Sequence, residues 1–494
     1  MLNYYGRKHL IILLNLFMLF PLFALCCCGR WKGDIPVREY PSECLLVTGA
    51  GRSPDTLTVS LPGRIDSDNA PVGRNYSERI VFGHMYQPLC SVDCLGEVHP
   101  LIADSWRREE GGRLWIFRLR KGIRFWDGSH LTAGDVIRSW RSITWQTARE
   151  IAGIDSVTAE GQYSLRVYFD HSIEDFPRIL ATEHFLVTGG SRRNGFPSGT
   201  GRFRPVEGGE DIFRKGTIIR SLDGGRSVIR FVYLSGEEAL NRLSGSIDIA
   251  VTPDPDLIDY AGALEEFLTI PLPWERTYLL LSATRADRLR SGKEAGSLSG
   301  EIRDDLADNA VRVEARGCGR GGWHYDLDEC RRLSGIAEYQ HRYSAGFNPD
   351  SDEKRVLFRK GDHTAAELAG RIAALASSAG SGQAELLESA VPGITGGVIR
   401  VEGVTGEELS SSLGGGDDFA YIVSVNARPF DRCAEALELL GKARWLAGSG
   451  IGLEDILIPL VDTRNYLIIS RAAGPLWMDW RGHLFFSAGY GTAR

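Results

Sequence analysis

Basic charge is in deficit in this sequence: 57 Lys and Arg stand against 64 Asp and Glu over 494 residues, a net −7. A nucleic-acid partner, whose phosphates call for a basic surface, is therefore not expected. Catalytic signatures are missing too. There is no G-x-S-x-G, no H-E-x-x-H and no P-loop, and the 10 histidines are scattered without ligand spacing. No internal repeat or low-complexity tract interrupts the chain, which excludes repeat architectures. Long apolar runs are absent as well. The longest, residues 10–25, is apolar apart from Asn15 and Pro21, and its 16 residues fall short of the ~20 that span a bilayer as a helix. Behind Arg7, Lys8 and His9 it reads as an export signal.

The length predicts two or three domains. Aromatic residues make up 10%, with 11 Trp, enough to fill a core and leave rings for a pocket. Once the cluster Cys26, Cys27, Cys28 is set aside, Cys44, Cys90, Cys94, Cys318, Cys330 and Cys433 remain, an even set in an exported chain. Six cysteines admit about 15 connectivities. Cys90 with Cys94 and Cys318 with Cys330 are the economical local pairings. His324 between Cys318 and Cys330 fits no zinc spacing, so neither metal nor cofactor is expected. The GCGRGG run at 317–322 has the letters of a dinucleotide fingerprint but no regular apolar helix after it, and reads as a loop.

Residues 99–140 organise the rest. Residues 114–119, LWIFRL, form a strand with Trp115, Phe117 and Leu119 on one face and Arg118 and Arg120 on the other. Lys121-Gly122 and Asp127-Gly128 are turn dipeptides. Thr132 and Asp135 make a capping box, after which Val136, Ile137, Trp140 and Ile143 recur at helical spacing. This stretch resembles the signature of the extracellular solute-binding proteins, family 5, that serve peptide and nickel ABC importers. Its pattern is carried here by Pro100, Leu101, Ala103, Ser105 and Trp106, then Phe117, Leu119, Arg120, Gly122 and Phe125, then Asp127, Gly128, Thr132, Ala133, Asp135 and Val136. Further matches are Tyr86-Gln87-Pro88-Leu89, with Gln87 for an acidic residue, and residues 197–203, PSGTGRF, with Arg202 for a proline. The ending of the signal, residues 25–28, resembles a bacterial lipobox, with Cys28 the best acceptor of a lipid anchor and Cys27 the second.

The resemblance implies an α/β, two-lobed periplasmic-binding-protein fold of the class II, peptide-binding kind, with a hinge and an interlobe cleft. The division expected is a lipoprotein signal peptide at 1–28, a tether at 29–54, lobe I at 55–275 with an inserted subdomain at about 75–200, lobe II at 276–450, and a return to lobe I at 451–494. Alternating segments from Arg355 onward predict right-handed crossovers and a parallel sheet in the second lobe. Thr364 with Glu367 and Thr405 with Glu408 give two more capping boxes, and residues 477–486 a terminal hairpin.

The implied function is capture without catalysis: an oligopeptide or related small solute is bound between the lobes by hinge closure and delivered to an ABC permease with its ATPase subunits. The protein is expected to be a monomer, not an enzyme, anchored by lipid in the periplasm at the outer face of the cytoplasmic membrane. Candidate ligand-binding residues are Thr200, Trp274, Arg276, Tyr278, Tyr421, Ser424, Asn426 and Arg428. Peptide-binding relatives carry a W-x-x-D-Y-x-x-P motif whose carboxylate holds the peptide's ammonium; residues 417–429, DDFAYIVSVNARP, lack its Trp and following Asp. That departure supports an alternative, a surface lipoprotein, adhesin or regulator that keeps the fold without import.

Overall fold

In the computed structural model the described residues run from 44 to 486, with gaps at 48–55, 142–152, 207–216, 223–227, 318–352 and 428–456 and shorter breaks elsewhere. The signal and lipobox cysteines, Cys318, Cys330, Cys433 and Arg428 lie outside the described residues. Two mixed sheets dominate. The first has seven strands, in spatial order Phe203–Val206, Thr217–Ser221, Val228–Tyr233, Thr56–Leu61, Ile249–Thr252, Tyr466–Ser470 and Phe267–Pro271. The second has six: Ala315–Gly317, Leu457–Thr463, Arg276–Ser282, Ala420–Asn426, Glu353–Arg359 and Val398–Val404.

The strands are β-branched and aromatic runs that bury apolar side chains against helices. In the first sheet Val59, Ile229, Phe231, Ile249 and Leu467 meet Ile80, Val81 and Phe82 of helix Tyr76–Met85 in one core. In the second, Leu280, Val356 and Ile422 meet Leu368, Ile372 and Leu375 of helix His363–Ser377. A separate four-stranded antiparallel sheet holds the signature strand Leu114–Leu119 between Ala103–Glu109 and Ser164–Phe169, with Ile154–Ala159 at its edge. Trp115, Phe117 and Leu119 share its core with Val136 and Trp140 of helix Ala133–Trp140. Both halves of the Thr132–Asp135 capping box are present. So is the Thr405–Glu408 box, and strands Leu476–Met478 and Leu484–Phe486 pair as the expected hairpin.

Three expectations need correction. The second sheet is parallel only where Glu353–Arg359 meets its two neighbours; Arg276–Ser282 runs antiparallel to both of its own. The long helix is capped by Asp362, which accepts from Ala365 N, because the chain turns helical at His363, one residue before Thr364. Cys94 is bonded to Cys44, with Cα atoms 5.4 Å apart, and not to Cys90. Cys90 opens the short strand Cys90–Val92 with its side chain in the core shared with Trp115 and Phe117, where burial, then the nearby Asp175 charge, push its thiol up.

Candidate functional site

The chain passes between the two large sheets twice, and both passages are short. Strand Phe267–Pro271 of the first sheet is followed by residues 272–275 and then Arg276–Ser282 of the second; Leu457–Thr463 returns through 464–465 to Tyr466–Ser470. The passages are laced together. Leu272 N donates to Asn465 O at 3.0 Å and Glu275 N to Thr463 O at 2.9 Å. Glu275, only 8% exposed, accepts from Arg79 Nη2 at 2.5 Å and from Asn465 Nδ2 at 2.6 Å. Its carbonyl takes Ala427 N at 2.7 Å, so one residue joins both passages to the end of strand Ala420–Asn426.

Beside Glu275, Trp274 carries two guanidiniums over its ring, Arg316 Cζ at 4.3 Å and Arg464 Cζ at 4.4 Å from the centroid. Arg464 also donates to Glu314 Oε1 and Tyr466 Oη, each at 3.0 Å. Arg316 pairs with Asp462 at 3.2 Å, and Asp462 accepts from Thr277 Oγ1 at 2.7 Å.

Arg79 points from helix Tyr76–Met85 into a cavity of about 60 Å³ alongside this hinge. Gln87, Glu183, Arg202 and Asp479 line it with Phe82 and Phe485. The isolated bridge between Gln87 and Val187 brings the 183–187 segment against the end of that helix. Glu183 Oε2 lies 4.0 Å from Arg79 Nε. A backbone turn closes the base of the wall: Gly201 N donates to Met85 O at 2.9 Å, and Trp126 Nε1 to Gly201 O at 3.3 Å.

The candidates read from sequence divide between this hinge and the cores. Arg276 and Asn426 are register partners, as are Tyr278 and Ser424, so the four share one sheet face. Arg276 Nη2 donates to Ser424 O at 2.6 Å and Oγ at 3.0 Å. Tyr278 is built into the core with its hydroxyl on Asp362 at 3.1 Å; burial first, and the Asp362 charge next, push that hydroxyl up. Tyr421, register partner of Leu281, is fully buried and donates to Ser412 O at 2.9 Å. Thr200 is 2% exposed, in the turn against Met85, with no hydrogen-bond partner for its hydroxyl. Sequence reasoning missed Arg79, Glu183, Glu275 and Arg464. Arg79 falls inside a helix stripe that looks structural, and Glu275 stands between two residues already chosen; a buried acidic residue next to a crossing strand was the available signal.

Residues 97–218 match the family described as bacterial extracellular solute-binding proteins, family 5 Middle. A probable deoxycholate-binding periplasmic protein, YgiS of Escherichia coli (strain K12), is 36% identical over 93 residues, 19% of this chain and 17% of that protein. The periplasmic oligopeptide-binding protein OppA of the same strain is 31% identical over 105 residues, 18% of this chain and 19% of that one. The chain thus matches under a fifth of the length of these curated relatives. The likeness of fold extends much further. DppA of Helicobacter pylori, an ABC transporter-associated periplasmic binding protein solved with the peptide STSA, superposes with TM-score 0.58 at 13% identity, covering 87% of this chain and 98% of that one. The fold is the two-lobed α/β fold of those binding proteins.

Proposed function

We propose that this chain, which belongs to the bacterial extracellular solute-binding proteins of family 5, captures a small solute, an oligopeptide or a related molecule, between its lobes and hands it to an ABC permease. The observation that carries this reading is the hinge: two short passages tied by Glu275, to which Arg79 of a polar first-lobe cavity is joined. Such a joint lets two rigid sheets rotate toward each other, and a ligand that touches both lobes stabilises the closed form by its differential affinity. Arg276 and Ser424 on the second lobe and Arg79 on the first are the proposed contacts, with position 426 beside Arg276 in register. Arg428, Trp274 and Thr200 complete the proposed set, while Tyr278 and Tyr421 act through the sheet that carries them. The OppA and DppA likenesses support a peptide, and carriers of this kind transform nothing. Cys28, or failing it Cys27, is the proposed site of a lipid anchor in the periplasm. Replacing both with alanine then moves the protein from the membrane fraction to the soluble one.

The test is thermal unfolding of purified protein with pools of short peptides. A ligand at 100 times its Kd stabilises the native state by about 2.7 kcal/mol, which raises the midpoint by several degrees. The same additions contract the radius of gyration in X-ray scattering as the lobes close. A protein indifferent to peptides, sugars and metal ions alike would instead be a surface lipoprotein or regulator. The absence of the Trp and Asp of the peptide motif around strand Ala420–Asn426 favours that second reading.

A further inference from the structure

Building on the capture reading above, we infer that Glu314 is a latch between the lobes: a link that, unlike the two passages, can be undone, and that weights the protein toward its shut form. Glu314 belongs to the second lobe. It leads into strand Ala315–Gly317, which pairs with Leu457–Thr463. Shortly before it, helix Gly300–Asp305 and residues 306–310 bury Ile302, Leu306 and Ala307 in the core of the second sheet. Arg371 of helix His363–Ser377 holds Asp305 there with two hydrogen bonds. Yet the main chain of Glu314 reaches the first lobe. Its N–H donates to Pro253 O at 3.0 Å, and Pro253 directly follows strand Ile249–Thr252 of the first sheet.

The rest of Glu314 repeats the link. Its carbonyl accepts from Arg464 N at 3.1 Å. Its Oε1 accepts from Arg464 Nη2 at 3.0 Å and from Tyr466 Oη at 3.4 Å. Tyr466 opens a strand of the first sheet and is the register partner of Thr252 and Pro271. The carboxylate therefore meets the first lobe as well as the second passage. Arg464 is held for this role by the rings of Trp274 and Tyr466, 4.4 and 5.0 Å from its Cζ. None of these contacts is covalent, and the Glu314 and Arg464 side chains are 33% and 22% exposed. Water can replace such a pair at small cost.

The sense of the latch follows from where it stands. Ile249–Thr252 runs parallel to Thr56–Leu61, and Ala420–Asn426 parallel to Glu353–Arg359, and both end at the hinge. Ligands of open α/β sheets lie in the crevice outside the carboxyl ends of parallel strands, so Pro253 and Glu314 meet on the crevice side. They are already at hydrogen-bonding distance, so rotation of the lobes can only keep them together or part them. Undoing the latch adds open states, and the apparent affinity of a ligand falls with the fraction of molecules able to hold it.

X-ray scattering of wild type and Glu314→Ala without peptide is the first measurement. The variant keeps the backbone bond to Pro253 but loses both side-chain links. It is expected to show a larger radius of gyration and a broader distance distribution than wild type, with unchanged circular dichroism. Saturation with the short-peptide pool brings both proteins to the same radius, so the contraction is greater in the variant. In titration calorimetry the variant binds the pool at least about 5-fold more weakly, the low end of coupling between separate sites. If Glu314→Ala does not fold, Glu314→Gln, which keeps an acceptor but not the charge, gives the same changes at smaller size. Identical ligand-free scattering of folded variant and wild type, or tighter peptide binding by the variant, overturns the latch and leaves the capture reading standing. A wild type that answers to no peptide overturns peptide capture, and the ligand-free scattering still decides the latch.

Discussion

Glu275→Gln is the substitution that probes the hinge most directly. The side chain keeps its shape and one carbonyl oxygen for Asn465, but the charge facing Arg79 is lost. Both partners are about a tenth exposed, at 11% each, and their N and O atoms are 2.5 Å apart. With charge centres about 4 Å apart and an effective dielectric constant of about 20, the pair is worth about 4 kcal/mol. Breaking a buried pair by removing one partner costs about 3–5 kcal/mol, because the other charge is left without compensation. Glu183, 4.0 Å from Arg79, takes up part of that deficit, so the expected loss is about 2–4 kcal/mol. Urea unfolding followed by tryptophan emission measures it in wild type, Glu275→Gln, Arg79→Met and the double variant. Each single variant should lose a similar amount and the double little more than either, a coupling of about 2 kcal/mol or greater. A Glu275→Gln loss under about 1 kcal/mol, or strict additivity in the double variant, would refute the assignment of this pair as the tie of the hinge.

Two further outcomes follow from local geometry and charge. Gly201→Ala places a Cβ 2.5 Å from the Met85 carbonyl and 2.6 Å from His84 O, backbone atoms that a helix end cannot move aside. A loss of at least about 2 kcal/mol is expected in urea unfolding, against little change or slight stabilisation for Gly245→Ala, where nothing lies within 4 Å. The bidentate hydrogen bonds from Arg371, at 2.9 and 2.6 Å, outweigh burial and hold the Asp305 carboxyl below its ordinary value of 3.8. Its stabilising contribution is therefore complete above pH 4 and disappears as acidity rises through the depressed value. Asp305→Asn should cost about 1 kcal/mol at neutral pH and show a flatter decline in urea midpoint below pH 4 than wild type.

The elements were legible wherever local chemistry decides them. Thr132 with Asp135 announces a helix start from four residues, and the period-2 run 164–169, SLRVYF, yields a strand with its alternation intact. What depends on distant neighbours was not legible. Thr364 with Glu367 has the same letters as a working box, yet Asp362 two residues earlier offers a better cap and takes the role. The Cys44–Cys94 bond spans 50 residues and is set by how the start of the described chain lies against the subdomain, which no spacing rule reports. In the candidate site, Trp274 and Arg276 were accessible because the crossing strand has a recognisable lead-in. Glu183 and Arg79 were not, since each acquires meaning only when the helix, the 183–187 segment and the hinge converge in space.

The position of Tyr466–Ser470 bears on the order in which the protein is assembled. This late strand lies between Ile249–Thr252 and Phe267–Pro271 and, among the described residues, is the sole partner of the latter in the sheet. As the polypeptide emerges from the ribosome, the first half is made early yet waits with an open slot until the strands of the second sheet have been synthesised. Its unfinished edge exposes backbone donors and acceptors throughout that interval, so a holdase able to mask strand edges would be of most use before residue 466 appears.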